Sequence, residues 1–188
     1  MGYAVTGIDP SLGAVMAAKR VARQLELPIE YVVGDARYLP FKENSFDVVF
    51  SYSVPQHLSR ENVGKVLSEI SRVLRPGGHC VIQMANRQGI RSLYHQMRRC
   101  FRQARDFEVR YWSITDLRDT FGKAIGKTSV FVDCFFGLGL QRSDIPLMPA
   151  SKRLLIRFSE QLKRMSRKLT FLVNAADSVF VASWKPAL

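Results

Sequence analysis

The chain has 188 residues, of which 47% are hydrophobic, an ordinary proportion for one globular domain with a buried core. It shows no signal-peptide pattern and no apolar run near the ~20 residues of a membrane span, so a cytoplasmic protein is expected. Its 28 Lys and Arg against 16 Asp and Glu leave a net charge of +12, a field that attracts phosphates, acidic lipids or nucleic acid, or simply solvates a basic surface.

The charge is unevenly spread. Residues 1–86 hold 9 basic and 8 acidic groups, whereas 87–188 hold 19 and 8. Cys80, Cys100 and Cys134 lie far apart, with no CxxC and no histidine at ligand spacing, so thiols are expected and no metal site.

Residues 1–86 alternate strand and helix patterns. "YAVTGI" is a β-rich apolar run, and "DP" then opens a helix, with Asp9 placed to cap it and Pro10 suited to its first turn. Leu12, Val15, Ala18, Ala22 and Leu25 give that helix one apolar face. "IEYVV" is a second strand and "FDVVFS" a third. Ser59 caps a helix striped by Val63, Val66, Leu67, Ile70 and Leu74, "RPGG" ends it in a turn, and "HCVIQMA" is a fourth strand. Near-continuous apolar strands between helices predict a parallel sheet covered on both faces.

Beyond Asn86 the pattern loosens. Residues 90–106 read as an arginine-rich helix, "SITDLRDTFGKAIG" as another, and "KTSVFVDCFFGLGL" as a strand whose Gly137-Leu138-Gly139 makes a turn. Residues 151–168 are again helical and "DSVFVASW" is a last strand. No repeat, low-complexity tract or linker divides the chain, so one domain over 1–188 is expected.

Ligands of open parallel sheets bind beyond the carboxyl ends of the strands. Two acids stand there, Asp9 and Asp35, and a carboxylate so placed can accept from ribose hydroxyls or an adenine amino group. Each also has a plain structural reading, Asp9 as a helix cap and Asp35 as a turn residue.

Taken together, "VTGIDPS", "VVGDARYLPFKENSFDVVFS", "HL" and "LRPGG" in this order resemble the class I S-adenosylmethionine-dependent methyltransferases, most closely those acting on small molecules, quinones, lipids and sugars. The resemblance is dense over 2–86, the cofactor-binding half, and loose over 87–188, the acceptor side. A dehydrogenase also places an acid after its second strand, but without this series of motifs. The resemblance implies an α/β, Rossmann-like, doubly wound and mostly parallel sheet. It implies S-adenosylmethionine as cofactor, with Asp9 on the ribose, Asp35 and Ala36 on the adenine, and Ser51, Tyr52 and Ser53 lining the transfer site. The family's strand order, 3-2-1-4-5-7-6, puts in the centre a first strand that should precede Gly2–Asp9 with its glycine loop and helix. Their absence here sets the expectation of an amino-terminally truncated methyltransferase that binds cofactor weakly or not at all.

His57 is the nearby candidate for a base, with Pro55 where the family more often has an aliphatic residue. Gln83, Asn86, Tyr94, His95, Tyr111 and Trp112 are candidates for the pocket of a small-molecule or lipid-linked acceptor, with core packing as the plain alternative. In "SKRLLIRFSEQLKRMSRKL", residues 151–169, Leu154, Phe158, Leu162, Met165 and Leu169 form one stripe among seven basic groups. Such a helix either lies on an anionic membrane surface or docks on the sheet with a solvated basic face. Nucleic acid is the rival partner for the basic half, with Tyr94, Phe101, Phe107, Tyr111 and Trp112 as stacking groups. Against it, "SYSVPQ" is not the motif of base-amino methylation, and no Pro-Cys pair serves carbon-5 methylation. A non-catalytic, methyltransferase-like partner subunit is the remaining alternative.

Overall fold

Two parallel strands, β1 (Val5–Asp9) and β2 (Ile29–Val33), are joined by helix α1 (Leu12–Gln24) in a computed structural model that describes residues 2–136 and 142–187. Ser11, not Asp9, caps α1: its Oγ accepts from the Ala14 N–H, one of the orphan donors of the first turn. Pro10 therefore precedes the helix instead of opening it. Only Val15 and Ala22 of α1 are buried, and Leu12 and Leu25 of the expected apolar face stay exposed.

The remaining strands form a second, four-stranded sheet in the order β3-β4-β6-β5. These are β3 (Phe46–Ser51), β4 (Leu74–Ala85), β5 (Lys127–Cys134) and β6 (Ser178–Trp184). β3 runs parallel to β4, whereas β6 is antiparallel to both of its neighbours, so the sheet is mixed. The "RPGG" turn lies within β4: pairing jumps from Phe46–Leu74 to Val48–His79, so Arg75–Gly78 loop out as a bulge with Gly77 at φ 77°.

One face of this sheet, carrying Cys80, Ile82, Met84, Val132, Val179 and Val181, packs on helices α2 (Arg60–Val73) and α4 (Ile114–Ala124). Leu67, Leu117 and Phe121 are fully buried there, each removing apolar area worth about 1.5–3 kcal/mol. The other face is incompletely covered, since Phe50 and Phe131, on either side of Phe180, remain 63% and 46% exposed. That corrects the expectation of two covered faces.

Segment 39–45 ties the small sheet's connection to α2. Glu69 accepts the Leu39 N–H at 2.7 Å and pairs with Arg72, whose guanidinium donates to the carbonyls of Leu39 and Phe41. β1 and β3 do not pair; an apolar trough lies between Thr6–Ile8 on one side and Val48–Tyr52 on the other.

Helix α3 (Ile90–Arg98) is shorter than the expected 90–106. Cys100 and Phe101 both take positive φ, ending it, and the arginines beyond gather around Glu108: Arg102 at 2.6 Å and Arg99 at 3.4 Å. At its other end, Asp177 Oδ1 accepts the Arg91 and Ser92 N–H groups. The expected turn at Gly137–Gly139 lies outside the described residues.

Helix α5 (Ala150–Ser166) docks beside β5 by an unexpected face. Ile156, Ser159 and Ser166 are buried, with Ser159 Oγ bridging the Phe135 N–H and carbonyl at 3.1 and 3.2 Å. The stripe read from the sequence lies largely in solvent: Leu154 is 69% exposed and Phe158 54%, though Phe158 stacks on Phe136, with Met165 and Leu169 also exposed and Leu162 half-buried. No described helix is long and apolar enough to cross a membrane.

Candidate active site

The carboxyl ends of β1, β2 and β3 carry the residues expected to meet a cofactor. Asp9 ends β1 in register with Val33, so Asp9 and Asp35 top neighbouring parallel strands. One Asp9 oxygen accepts the Ser11 N–H at 2.8 Å; the other has no partner among the described residues. The exposed carboxylate thus keeps acceptor capacity for a hydroxyl pair.

Asp35 is more committed. Its Oδ1 accepts the Arg37 N–H at 2.8 Å, and both of its oxygens take the Arg37 side chain, down to 2.5 Å. That bidentate hold keeps its carboxyl below the usual carboxylate range. The neighbouring Ala36 lines the trough with Ser51 and Tyr52, and its N–H donates to no described group, which leaves it a donor for a ring nitrogen. The strand ends therefore fit an adenosine, through Asp9 and the Ala36 amide more directly than through the Asp35 side chain.

Beyond β3 and β4 lies a cavity of about 320 Å³ with Tyr52, Gln56, Gln83, Tyr111 and Asp133 in its wall. Tyr52 donates to Asp133 Oδ2 at 3.3 Å, and burial, then the Asp133 charge, pushes its hydroxyl up to about 12. It remains a neutral donor at any physiological pH. Ser178 Oγ donates to the same oxygen at 2.8 Å and receives the Gln83 amide. Asp133 Oδ1 is without a partner among the described residues, and so are the buried Gln56 Oε1 and Gln83 Oε1. The wall thus holds two buried acceptors, each costing free energy until a donor arrives, beside an Asp133 oxygen with spare acceptor capacity.

Of the residues singled out in the sequence, Tyr52, Ser53, Gln83, His95 and Tyr111 line this cavity. Three do not. Asn86 is fully buried and clamps the Asn174 and Ala176 carbonyls at 2.8 and 2.7 Å, Tyr94 lies outside the wall, and Trp112 is 1% exposed in the core. His57 also sits outside the wall: its Nδ1 is 2.6 Å from the Phe107 carbonyl, and Arg110 donates to its own carbonyl. The histidine staples the Pro55–His57 turn to segment 107–110.

Sequence reading missed Asp133 and Ser178. A clue existed for Asp133, the one acid inside the apolar run "SVFVDCFF". Their meeting depends on the antiparallel β5–β6 pairing. Among the described residues no group of three His, Cys, Asp or Glu can hold a metal ion.

Comparison with known proteins places this geometry. Residues 1–82 match a family model described as a methyltransferase domain. The chain is 36% identical over 84 residues, 44% of its length, to phosphoethanolamine N-methyltransferase 2 of Caenorhabditis elegans, covering 19% of that protein. It is 33% identical over 87 residues, 46% of its length, to the ubiquinone biosynthesis O-methyltransferase of Bradyrhizobium sp. (strain ORS 278), covering 33% of it. The chain thus spans a third or less of these relatives. A solved S-adenosylmethionine-dependent methyltransferase from Methanosarcina mazei shares its fold, with a TM-score of 0.64 at 17% identity over 100% of this chain and 84% of that one.

Proposed function

We propose that this chain, whose residues 1–82 match a methyltransferase domain, transfers a methyl group from S-adenosylmethionine to a small-molecule or lipid-linked acceptor. The observation that carries the acceptor assignment is the set of hydrogen-bond acceptors in the cavity beyond β3 and β4, where the buried Gln56 Oε1 and Gln83 Oε1 have no partner among the described residues and Asp133 Oδ1 keeps acceptor capacity. A hydroxyl or amine satisfies them. The relatives include an O-methyltransferase of ubiquinone biosynthesis and a phosphoethanolamine N-methyltransferase, which agrees with a donor-bearing acceptor.

S-adenosylmethionine, when bound, supplies an electrophilic methyl group. Asp9 and the Ala36 N–H would hold its adenosine end, and Ser51 and Tyr52 border the passage from there to the cavity. The chain's own residues orient the acceptor: Gln56 and Gln83 accept from it, Tyr52 donates to it or to Asp133, and Asp133 takes the proton of an acceptor hydroxyl. Positioning of this kind supplies much of the rate in a one-step displacement. His57, turned to the Phe107 carbonyl, is a positioning residue for the Pro55–His57 turn.

The exposed apolar stripe of α5, flanked by Arg153, Arg157, Arg164 and Lys168, adds a peripheral contact with an anionic bilayer to this reading. That contact suits a lipid-linked acceptor.

The test is transfer of labelled methyl from S-adenosylmethionine to a panel of phenols, quinols and amines. We expect Asp133→Asn to lower turnover of hydroxyl acceptors about 10²-fold, within the usual range for a general base. Equal turnover in the variant on every acceptor would remove Asp133 from the chemistry.

A further inference from the structure

A second cavity, about 590 Å³, opens across the Val109–Tyr111 wall from the acceptor pocket, since both residues line both spaces. Five guanidiniums line it, those of Arg60, Arg87, Arg99, Arg102 and Arg110. Two carboxylates answer them: Asp116 pairs with Arg60 at 2.7 Å, and Glu108 pairs with Arg102 at 2.6 Å and Arg99 at 3.4 Å. Neither carboxylate is in the lining. Arg87 and Arg110 have no ion pair among the described residues, so three positive charges remain unbalanced around one concave space.

Four of the guanidiniums, all but Arg87, are also held in place. Arg110 donates to the carbonyls of His57, Asp106 and Glu108, Arg99 donates to the Val109 carbonyl, and Arg60 lies 4.2 Å over the Trp112 ring. Cations fixed before binding lose little rotamer freedom when a ligand arrives. Trp112, in the same wall, keeps a buried Nε1–H with no partner among the described residues. Arg87, whose guanidinium donates to no described group, keeps its planar fork for a pair of phosphate oxygens, and the fixed cations around it add excess positive charge.

We propose that this basin binds a phosphate monoester or diphosphate. Resting on the methyl-transfer reading, it holds the anionic end of an acceptor whose reactive hydroxyl or amine reaches past Val109 and Tyr111 to Asp133. The acceptor is therefore a phosphate-bearing molecule.

Calorimetric titration of the whole chain with inorganic pyrophosphate tests this. Saturation at one site per chain is expected, weakened at least tenfold in Arg87→Gln and in Arg60→Gln, both exposed side chains whose loss spares the core. Arg167→Gln, on α5 and outside the basin, is expected to stay within twofold. Equal weakening in all three variants, or no saturation, means diffuse attraction to the net +12 charge and overturns the proposal. Saturable binding of single-stranded RNA that pyrophosphate fails to displace overturns it as well.

Two further arms separate the sources of the phosphate. If phosphatidylcholine vesicles containing phosphatidic acid bind more tightly than glycerol phosphate, and lose that binding in Arg87→Gln, the head group is lipid-borne. Equal binding of free glycerol phosphate marks a soluble acceptor. S-adenosylhomocysteine is titrated on the same samples: loss of that binding with pyrophosphate binding intact would end the methyl-transfer reading and leave the basin standing.

Discussion

Glu108 draws together three groups of the basic half, Arg99, Arg102 and the Arg105 amide. Arg102 grips it through two nitrogens, and the Arg105 N–H adds a third bond at 2.9 Å. The Arg102 hydrogen bonds first, then the Arg105 amide, pull its carboxyl down to about 2 from an ordinary 4.5. A carboxylate lowered by folding contributes stability that is present above its unfolded value and lost as pH falls through the folded one. The loop 99–110 should therefore loosen between about pH 4.5 and pH 2. Amide spectra of Arg105 and Glu108 across that range check this; Glu108→Gln should already show the loosened pattern at pH 7. A loop unchanged down to pH 2 in the native chain would show that the pairing carries no weight. Asp35 has a similar partner in Arg37, but there the cost falls on function: a carboxylate already held by a guanidinium is less available to a cofactor.

At the scale of elements, α5 departs furthest from its simplest reading. Its stripe of Leu154, Phe158, Met165 and Leu169 was legible from spacing alone, but which face would dock was not. Ser159 and Ser166 look like surface residues in the sequence, and Ser159 is buried because its hydroxyl completes the backbone of Phe135. The consequence is an apolar stripe in solvent beside a basic one. Flotation with vesicles should recover the chain on anionic bilayers and not on neutral ones, and Phe158→Glu should abolish recovery while circular dichroism stays unchanged. Recovery that survives Phe158→Glu would reduce α5 to a solvated basic surface.

The strands and helices of 1–86 were readable because period, cap and turn agreed there. The end of α3 was not. Residues 99–106 keep helix-compatible composition, and their left-handed turn at Cys100 and Phe101 depends on Glu108, a partner farther along the chain. Asp133 was hidden for the same reason: its role exists only once β6 brings Ser178 against it.

Across the whole molecule, packing is uneven. The core runs from Val63 to Val181 and includes no residue of β1, α1 or β2. That small unit is tied on through the Glu69–Arg72 contacts and faces β3 across the trough, so the cofactor-side acids stand on the less buried part of the fold while the acceptor cavity stands on the core. Such a division gives a rigid acceptor site beside a softer cofactor site, since local opening is easiest where few apolar contacts are buried. On the function proposed above, in which Asp9 and the Ala36 amide would hold the cofactor while Asp35 is engaged by Arg37, it argues for weak cofactor affinity.

The most direct test of the account is calorimetric titration of this chain with S-adenosylhomocysteine, alongside Asp9→Ala and, as a control away from the strand ends, Asp47→Ala. We predict a dissociation constant of about 0.1–1 mM, corresponding to roughly 4–5.5 kcal/mol. Asp9→Ala should weaken it at least tenfold, because a hydrogen bond to a charged group contributes about 1.5–3 kcal/mol, and Asp47→Ala should leave it unchanged. No binding at ~10 mM, far above that range, or binding indifferent to Asp9→Ala, would contradict the placement of the cofactor at the ends of β1 and β2.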